Sequence, residues 1–303
     1  MGDRFFRAKG LGMSNLQVYK SNDLMTASYR LSVAESRIIL TCIAKINRDP
    51  TQTVTDAVMY SFTAREFAEL SGISLMAAYS ELKEAIDQLF DRRIRFHMKD
   101  RERKTRWIQT ADYIDGEGRV ELRFSKDVLP YLVNLQGNFT KYNLKAVARL
   151  SSAHAIRLYE LIVKNRYSGF KTLISIDLIR FGLNLDDAYP LYADLRKRVI
   201  EPAIKQISEH SDITIHGFEP KREGRKIAAI EISFSDKQGF GGEPIQEDLL
   251  PAEDKPKYSR SPRKSPKVKD TYSEAEIMKA ARPGESKADV IQRLKNEAVR
   301  KAG

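Results

Sequence analysis

Between Leu31 and Asn47 apolar side chains return at Ile38, Ile39, Cys42, Ile43 and Ile46, the spacing that lines one stripe of a helix against a core. Past a loop at Asp49-Pro50, Val58 to Phe62 is β-rich. Thr63 followed by Glu66 is a capping box that opens a second helix, ending at Ser71-Gly72. Ser71-Gly72-Ile73 leads to Ser74 and a run that puts Leu75, Tyr79, Leu82, Ile86, Leu89 and Phe90 on one face. Helix, glycine-containing turn and helix predict a helix-turn-helix. Strands are expected at Arg93 to His97, Arg106 to Tyr113 and Arg119 to Phe124, the last two joined by Asp115-Gly116-Glu117-Gly118. A β-hairpin there would make the helix-turn-helix winged.

The order then repeats. Leu31-Ser32-Val33-Ala34 recurs as Leu150-Ser151-Ser152-Ala153, each opening a long helix, and Tyr79-Ser80-Glu81-Leu82-Lys83 recurs as Tyr192-Ala193-Asp194-Leu195-Arg196, with Ile86 matched by Val199. Between these anchors Thr172 to Ile176 reads as a strand, Asp177 to Phe181 as a short helix and Gly182-Leu183 as its turn. Asp212 to Phe218 and Lys226 to Phe234 form a second wing around Pro220 to Gly224. Pro202 predicts a kink or break in the long helix after Glu201. Agreement across these levels points to an internal duplication and an α+β fold of two tandem winged-helix domains. An N-terminal arm covers 1–20, the first domain 21–140 and the second 141–235.

Beyond Asp236 the periodicity stops. Lys255 to Lys269 mixes seven basic residues with proline and serine and contains no acid, so 236–303 is expected to be a flexible basic tail. Ser273 to Ala280 and Lys287 to Lys301 have the composition of short helices.

A length of 303 residues fits two domains and a tail. With 42% apolar and 31% charged residues the chain reads as a water-soluble globular protein. It has neither a membrane-length apolar run nor a secretion-type leader in Met1 to Gly12, so it is expected to be cytoplasmic with no membrane partner. The net charge of +11 points to a polyanionic partner, nucleic acid ahead of a membrane surface. The single cysteine, Cys42, excludes an internal disulfide and a cysteine-rich zinc site.

No phosphate-binding G-x-x-x-x-G-K-[ST] loop occurs, which argues against an ATPase-type initiator or a helicase. His97, His154, His210 and His216 never take metal-ligand spacing. None of the thirteen tyrosines has an evident base beside it, as a strand-nicking nucleophile would need. No catalytic residue, cofactor or metal is therefore expected.

The basic groups cluster instead. Arg196, Lys197, Arg198 and Lys205 lie off the Leu195, Val199, Ile204, Ile207 stripe, on a face that a helix-turn-helix lays in the major groove and that a solvated helix would equally carry. The matching helix of the first domain exposes Ser80, Glu81, Lys83, Glu84 and Asp87. That acidic balance leaves only its start, Ser74 to Ser80, suited to DNA. Arg92, Arg93, Arg95, Lys99, Arg101, Arg103, Lys104 and Arg106 outnumber Asp100 and Glu102 in the expected first wing; Lys221, Arg222, Arg225 and Lys226 repeat this in the second. Such density suits a grip on phosphates, and two basic wings imply a long bivalent footprint on double-stranded DNA.

Ser21-Asn22-Asp23-Leu24 with Ala27-Ser28-Tyr29 and the Leu31-Ser32 helix resembles the opening of winged-helix plasmid replication initiators, the Rep family. Ile156-Arg157-Leu158-Tyr159-Glu160-Leu161, Val199-Ile200-Glu201-Pro202-Ala203-Ile204 and Gly224-Arg225-Lys226 resemble its second-domain signature and wing. The resemblance runs from Lys20 to Phe234. It implies binding to repeated origin sequences (iterons), opening of adjacent duplex, contact with host replication proteins such as the helicase and the host initiator, a monomer-dimer equilibrium and repression of the protein's own promoter. It also places Arg196, Lys197 and Arg198 in the major groove, and Arg157, Arg225 and Lys226 near the backbone. The alternatives are a transcriptional regulator on a palindromic operator, since fold does not fix function, and a tyrosine-dependent nickase.

Overall fold

The structure, a computed structural model, describes residues 16–46, 54–114, 116–133, 135, 138–166 and 170–238, with isolated positions 278, 280, 287 and 290. The expected arm up to residue 15, the Asp49-Pro50 loop, Asp115 and the tail apart from those positions lie outside the described residues.

The described residues begin with β1 (Gln17–Ser21), α1 (Asn22–Thr26) and β2 (Ser28–Tyr29). Next comes α2 (Val33–Ile46), which buries Ile38, Ile39, Cys42, Ile43 and Ile46 as its spacing predicts. β3 (Tyr60–Thr63) runs into α3 (Ala64–Ser71) through the capping box at Thr63 and Glu66. Gly72 ends α3 in the left-handed region at φ 69°, a conformation glycine adopts without a Cβ penalty. Ser74 caps α4 (Leu75–Phe90).

The sheet elements of the first domain differ from expectation in one respect. After α4, β4 (Arg93–His97) pairs with β5 (Glu102–Arg106), and β2 adds to β4 on its other side. The hairpin that packs under α4 is the next one, β6 (Ile108–Ile114) and β7 (Arg119–Phe124), with β3 completing a sheet of order β3-β7-β6. The basic stretch 92–106 therefore forms a separate hairpin in front of the wing. β8 (Phe139–Asn143) then returns to pair with β1.

The second domain follows α5 (Lys145–Ala148) and α6 (Ala153–Val163): β9 (Lys171–Ser175), α7 (Ile176–Gly182), α8 (Tyr192–Leu195), a π-helical turn (Arg196–Ile200), α9 (Glu201–His210) and the long hairpin β10 (Ile213–Glu223) and β11 (Lys226–Asp236). Its sheet order is β10-β11-β9. In both domains the strand before the helix-turn-helix pairs antiparallel with the second strand of the hairpin after it. Leu82 and Leu195, and Ile86 and Val199, the residues matched in the repeat, are all buried. The helix does not break at Pro202. The preceding turn widens into a π-helical turn, and Pro202 follows it directly at the start of α9.

Among the described residues no helix is long and apolar enough to cross a membrane.

Candidate nucleic-acid interface

The second helix of the second helix-turn-helix carries Arg196, Lys197 and Arg198, all exposed. They are not equivalent. Arg196 is tied down: its Nε donates to Glu201 Oε1 at 2.7 Å and its guanidinium lies 5.4 Å from the centre of the Phe218 ring on β10. Arg198 stands 3.9 Å from Asp194, with its side chain 67% exposed. That loose surface pair is one a phosphate or a base edge can displace at little cost. Lys197 and Lys205 are exposed with no ion pair among the described residues, so the open cations of this helix are Lys197, the loosely paired Arg198 and, further along, Lys205.

At the second wing the strands extend further than the sequence suggests, to Glu223 opposite Lys226, which shortens the turn to Gly224-Arg225. Gly224 takes φ 59°, the positive value a two-residue hairpin turn of this kind needs at its first central residue. Arg222, Arg225 and Lys226 are thereby exposed at the tip. Lys221 is engaged by Glu219 and Glu231, each at 3.1 Å, and these hydrogen bonds raise its pKa.

In the first domain the buried stripe of α4 is Ala78, Leu82, Ala85, Ile86 and Leu89. Leu75, Tyr79 and Phe90, expected on that face, are 41%, 39% and 41% exposed. Each stands three or four residues from a buried member of the stripe, so spacing places it beside that face, and the structure leaves it only partly covered there. Ser74 and Ser80 are exposed there; the Ser74 hydroxyl accepts from the Ala77 amide at 3.3 Å. The aromatic ring of Tyr79 closes over Gly118 in the wing turn, so closely that a Cβ on that glycine would fall 1.7 Å from Tyr79 Cε1.

The β4-β5 hairpin divides its cations. Arg93, Lys99 and Arg101 are exposed and Arg103 is half-buried, with no ion pair among the described residues, while Lys104 pairs with Glu102 at 3.2 Å. Arg92 makes a bidentate pair with the buried Glu35 on α2 (Nε and Nη2 at 2.8 and 2.7 Å), and Arg106 bonds the Phe90 carbonyl and Asp91. Arg95 reaches into the second domain. Its Nη2 donates to Asn184 Oδ1 at 2.8 Å and Asp186 Oδ1 at 2.6 Å, and its guanidinium lies 5.7 Å from the Phe181 ring centre. Asn184 and Asp186 both have positive φ, in the turn between α7 and α8, so Arg95 bonds the turn that leads into the exposed basic helix. Residue spacing carried no signal for this role.

Arg157 is a correction. Expected near the DNA backbone, it is 5% exposed and surrounded by acceptors: the carbonyls of Met25, Ala27 and Gly182 at 3.1, 2.8 and 3.2 Å, with Tyr29 and Glu160 on Nη1. Around it Lys20 Nζ meets Glu160 Oε1 at 2.6 Å and the Tyr29 hydroxyl at 2.9 Å, and the Tyr142 hydroxyl donates to Glu160 at 2.6 Å. Burial resists the charge on Glu160. Lys20 and Arg157, with the hydrogen bonds from Lys20 and Tyr142, prevail and hold its pKa down to about 2. Burial draws Lys20 down to about 8 against the pull of Glu160. The Arg-Leu-Tyr-Glu-Leu stretch thus builds an ionic hub inside the protein; it does not meet solvent.

Among the described residues no group of three or more histidine, cysteine, aspartate or glutamate side chains is placed to hold a metal ion.

Residues 17–163 match the family model described as "Initiator Replication protein, WH1", and residues 175–234 match "Initiator Rep protein, WH2". A replication initiation protein of Escherichia coli is 30% identical over 209 residues, covering 67% of this chain and 65% of that protein. The Escherichia coli PI protein is 27% identical over 258 residues, covering 73% and 84%. The crystal structure of Pi initiator protein in complex with iteron DNA superposes with a TM-score of 0.63 at 25% identity, covering 74% of this chain and 99% of that one.

Proposed function

Since this chain belongs to the initiator replication proteins, matching the models of both their winged-helix domains, we propose that it initiates plasmid replication by binding directly repeated origin sequences. One observation carries the reading. Two helix-turn-helix units of the same topology present free cations on the second recognition helix, at Lys197 and Arg198, and on two hairpins, at Arg93, Lys99 and Arg101 and at Arg222, Arg225 and Lys226. Lys197 and Arg198 read base edges in the major groove, whereas the hairpin cations neutralise phosphates and fix register. The start of α4, with Ser74 and Ser80, approaches DNA from the first domain. The protein acts by binding, without catalysis. Opening of neighbouring duplex, engagement of the host helicase and initiator, a monomer-dimer equilibrium and repression of its own promoter, all in the cytoplasm, complete the proposal.

The test is footprinting of the purified protein on the DNA flanking its gene, at two salt concentrations. Protection of several direct repeats in phase with the helical turn is expected. A single protected palindrome would make the protein a transcriptional regulator on the same scaffold, and no protection would refute DNA reading altogether.

A further inference from the structure

Leu195, Val199, Ala203 and Ile207 are all buried on one side of the helix that runs from α8 through α9. They recur every four residues. In a regular α-helix each such step overshoots a full turn by about 40°, so the fourth residue would sit about 120° away from the first. The π-helical turn at Arg196–Ile200, in which the Glu201 amide donates to the carbonyl of Arg196, five residues back, absorbs an extra residue and returns about 100° of that drift. Pro202 favours the wide turn. In a straight α-helix it would leave the carbonyl of Arg198 without a donor and press its ring against that oxygen. The residues inside the turn that face solvent are Arg196, Lys197 and Arg198.

We infer that this π turn is the device that aims the base-reading cations: it fixes the azimuth of Lys197 and Arg198 about the helix axis relative to the anchors Ala203 and Ile207, and Pro202 is a positioning residue for sequence specificity. The inference rests on the DNA-reading role proposed above. Arg196, bonded to Glu201 and packed on Phe218, braces the same turn from outside.

Deleting Lys197 tests it, because the stripe spacing becomes three, four and four, which a regular α-helix keeps in line. The domain is expected to retain its core while the turn narrows. Lys197→Ala is the control that removes the same charge and keeps the turn. The readout is the ratio of affinities for a duplex bearing the footprinted repeat and a shuffled duplex of equal composition. The deletion is expected to lower that ratio at least tenfold below the Lys197→Ala value, with binding to the shuffled duplex equal in both variants. Should the deletion abolish cooperative melting, the same comparison is made with Pro202→Ala, which restores the donor and is expected to lower the ratio several-fold. A ratio equal to the control in a folded variant overturns the inference and leaves DNA reading standing. A wild-type ratio near one refutes both.

Discussion

Lys20, on the first strand, reaches across 140 positions of sequence to Glu160, with its Nζ 2.6 Å from Oε1 and both side chains 1% exposed. Replacing a buried pair of this kind outright with apolar groups can be neutral, whereas removing one partner strands the other charge. Glu160→Gln is therefore expected to cost about 3–5 kcal/mol, because Lys20 and Arg157 both lose their counter-ion. Chemical denaturation of the two proteins at neutral pH measures the difference.

That difference should depend on pH with a definite sign. Glu160 is held at about 2 in the folded protein, below the roughly 4.3 of an unfolded glutamate. Its ionisation therefore contributes stability that is fully present above that unfolded value and is lost as pH falls towards 2. The gap between wild type and Glu160→Gln should narrow across that window; a gap constant from pH 6 to the acid limit would remove the hub from the account of stability.

Gly118→Ala combines two penalties, a left-handed backbone at φ 55° and a Cβ driven into the Tyr79 ring. The backbone alone is worth about 1–2 kcal/mol. The melting temperature should fall, and Tyr79→Ala in the same background should recover the part caused by the collision.

Reading and gripping should separate by mutation. Arg198→Ala is expected to cost about 1–3 kcal/mol on the repeat and to relax preference at one base position. Arg225→Ala, at the wing tip, should weaken repeat and shuffled DNA alike and reduce the salt slope by about one. Titrations at several salt concentrations check both, and the reverse pattern would exchange the two roles.

Arg95→Ala should leave global stability nearly intact, since Asp186 and Arg95 are partly solvated, yet free the turn at Asn184 and Asp186. Faster amide exchange confined to the segment between α7 and α8, with a loss of repeat affinity, is the expected outcome.

The repeated pattern was legible because it rests on local rules. The capping box at Thr63 and Glu66, the helix of Ile38 to Ile46 and the matched Leu82 and Leu195 all follow from spacing alone. What stayed hidden depends on contacts between distant segments. β1 pairs with β8 across more than a hundred residues, Arg95 acts on a turn in the other domain, and Arg157 is placed by carbonyls that no motif names. A count of positive charges also cannot separate Arg222 at an open tip from Lys221 held between two glutamates. The proline signal at Pro202 was visible, but its effect was a wider turn instead of a break, because the four-residue stripe on either side had to stay in one core.

Two domains in tandem are interchangeable only where each is complete in itself. Here β1 supplies Lys20, the segment after it supplies the carbonyls of Met25 and Ala27, and the end of α7 supplies that of Gly182, all to one arginine and its glutamate. A graft of either half onto a foreign partner would inherit an incomplete set of acceptors for Arg157, so the two domains are exchanged together or not at all.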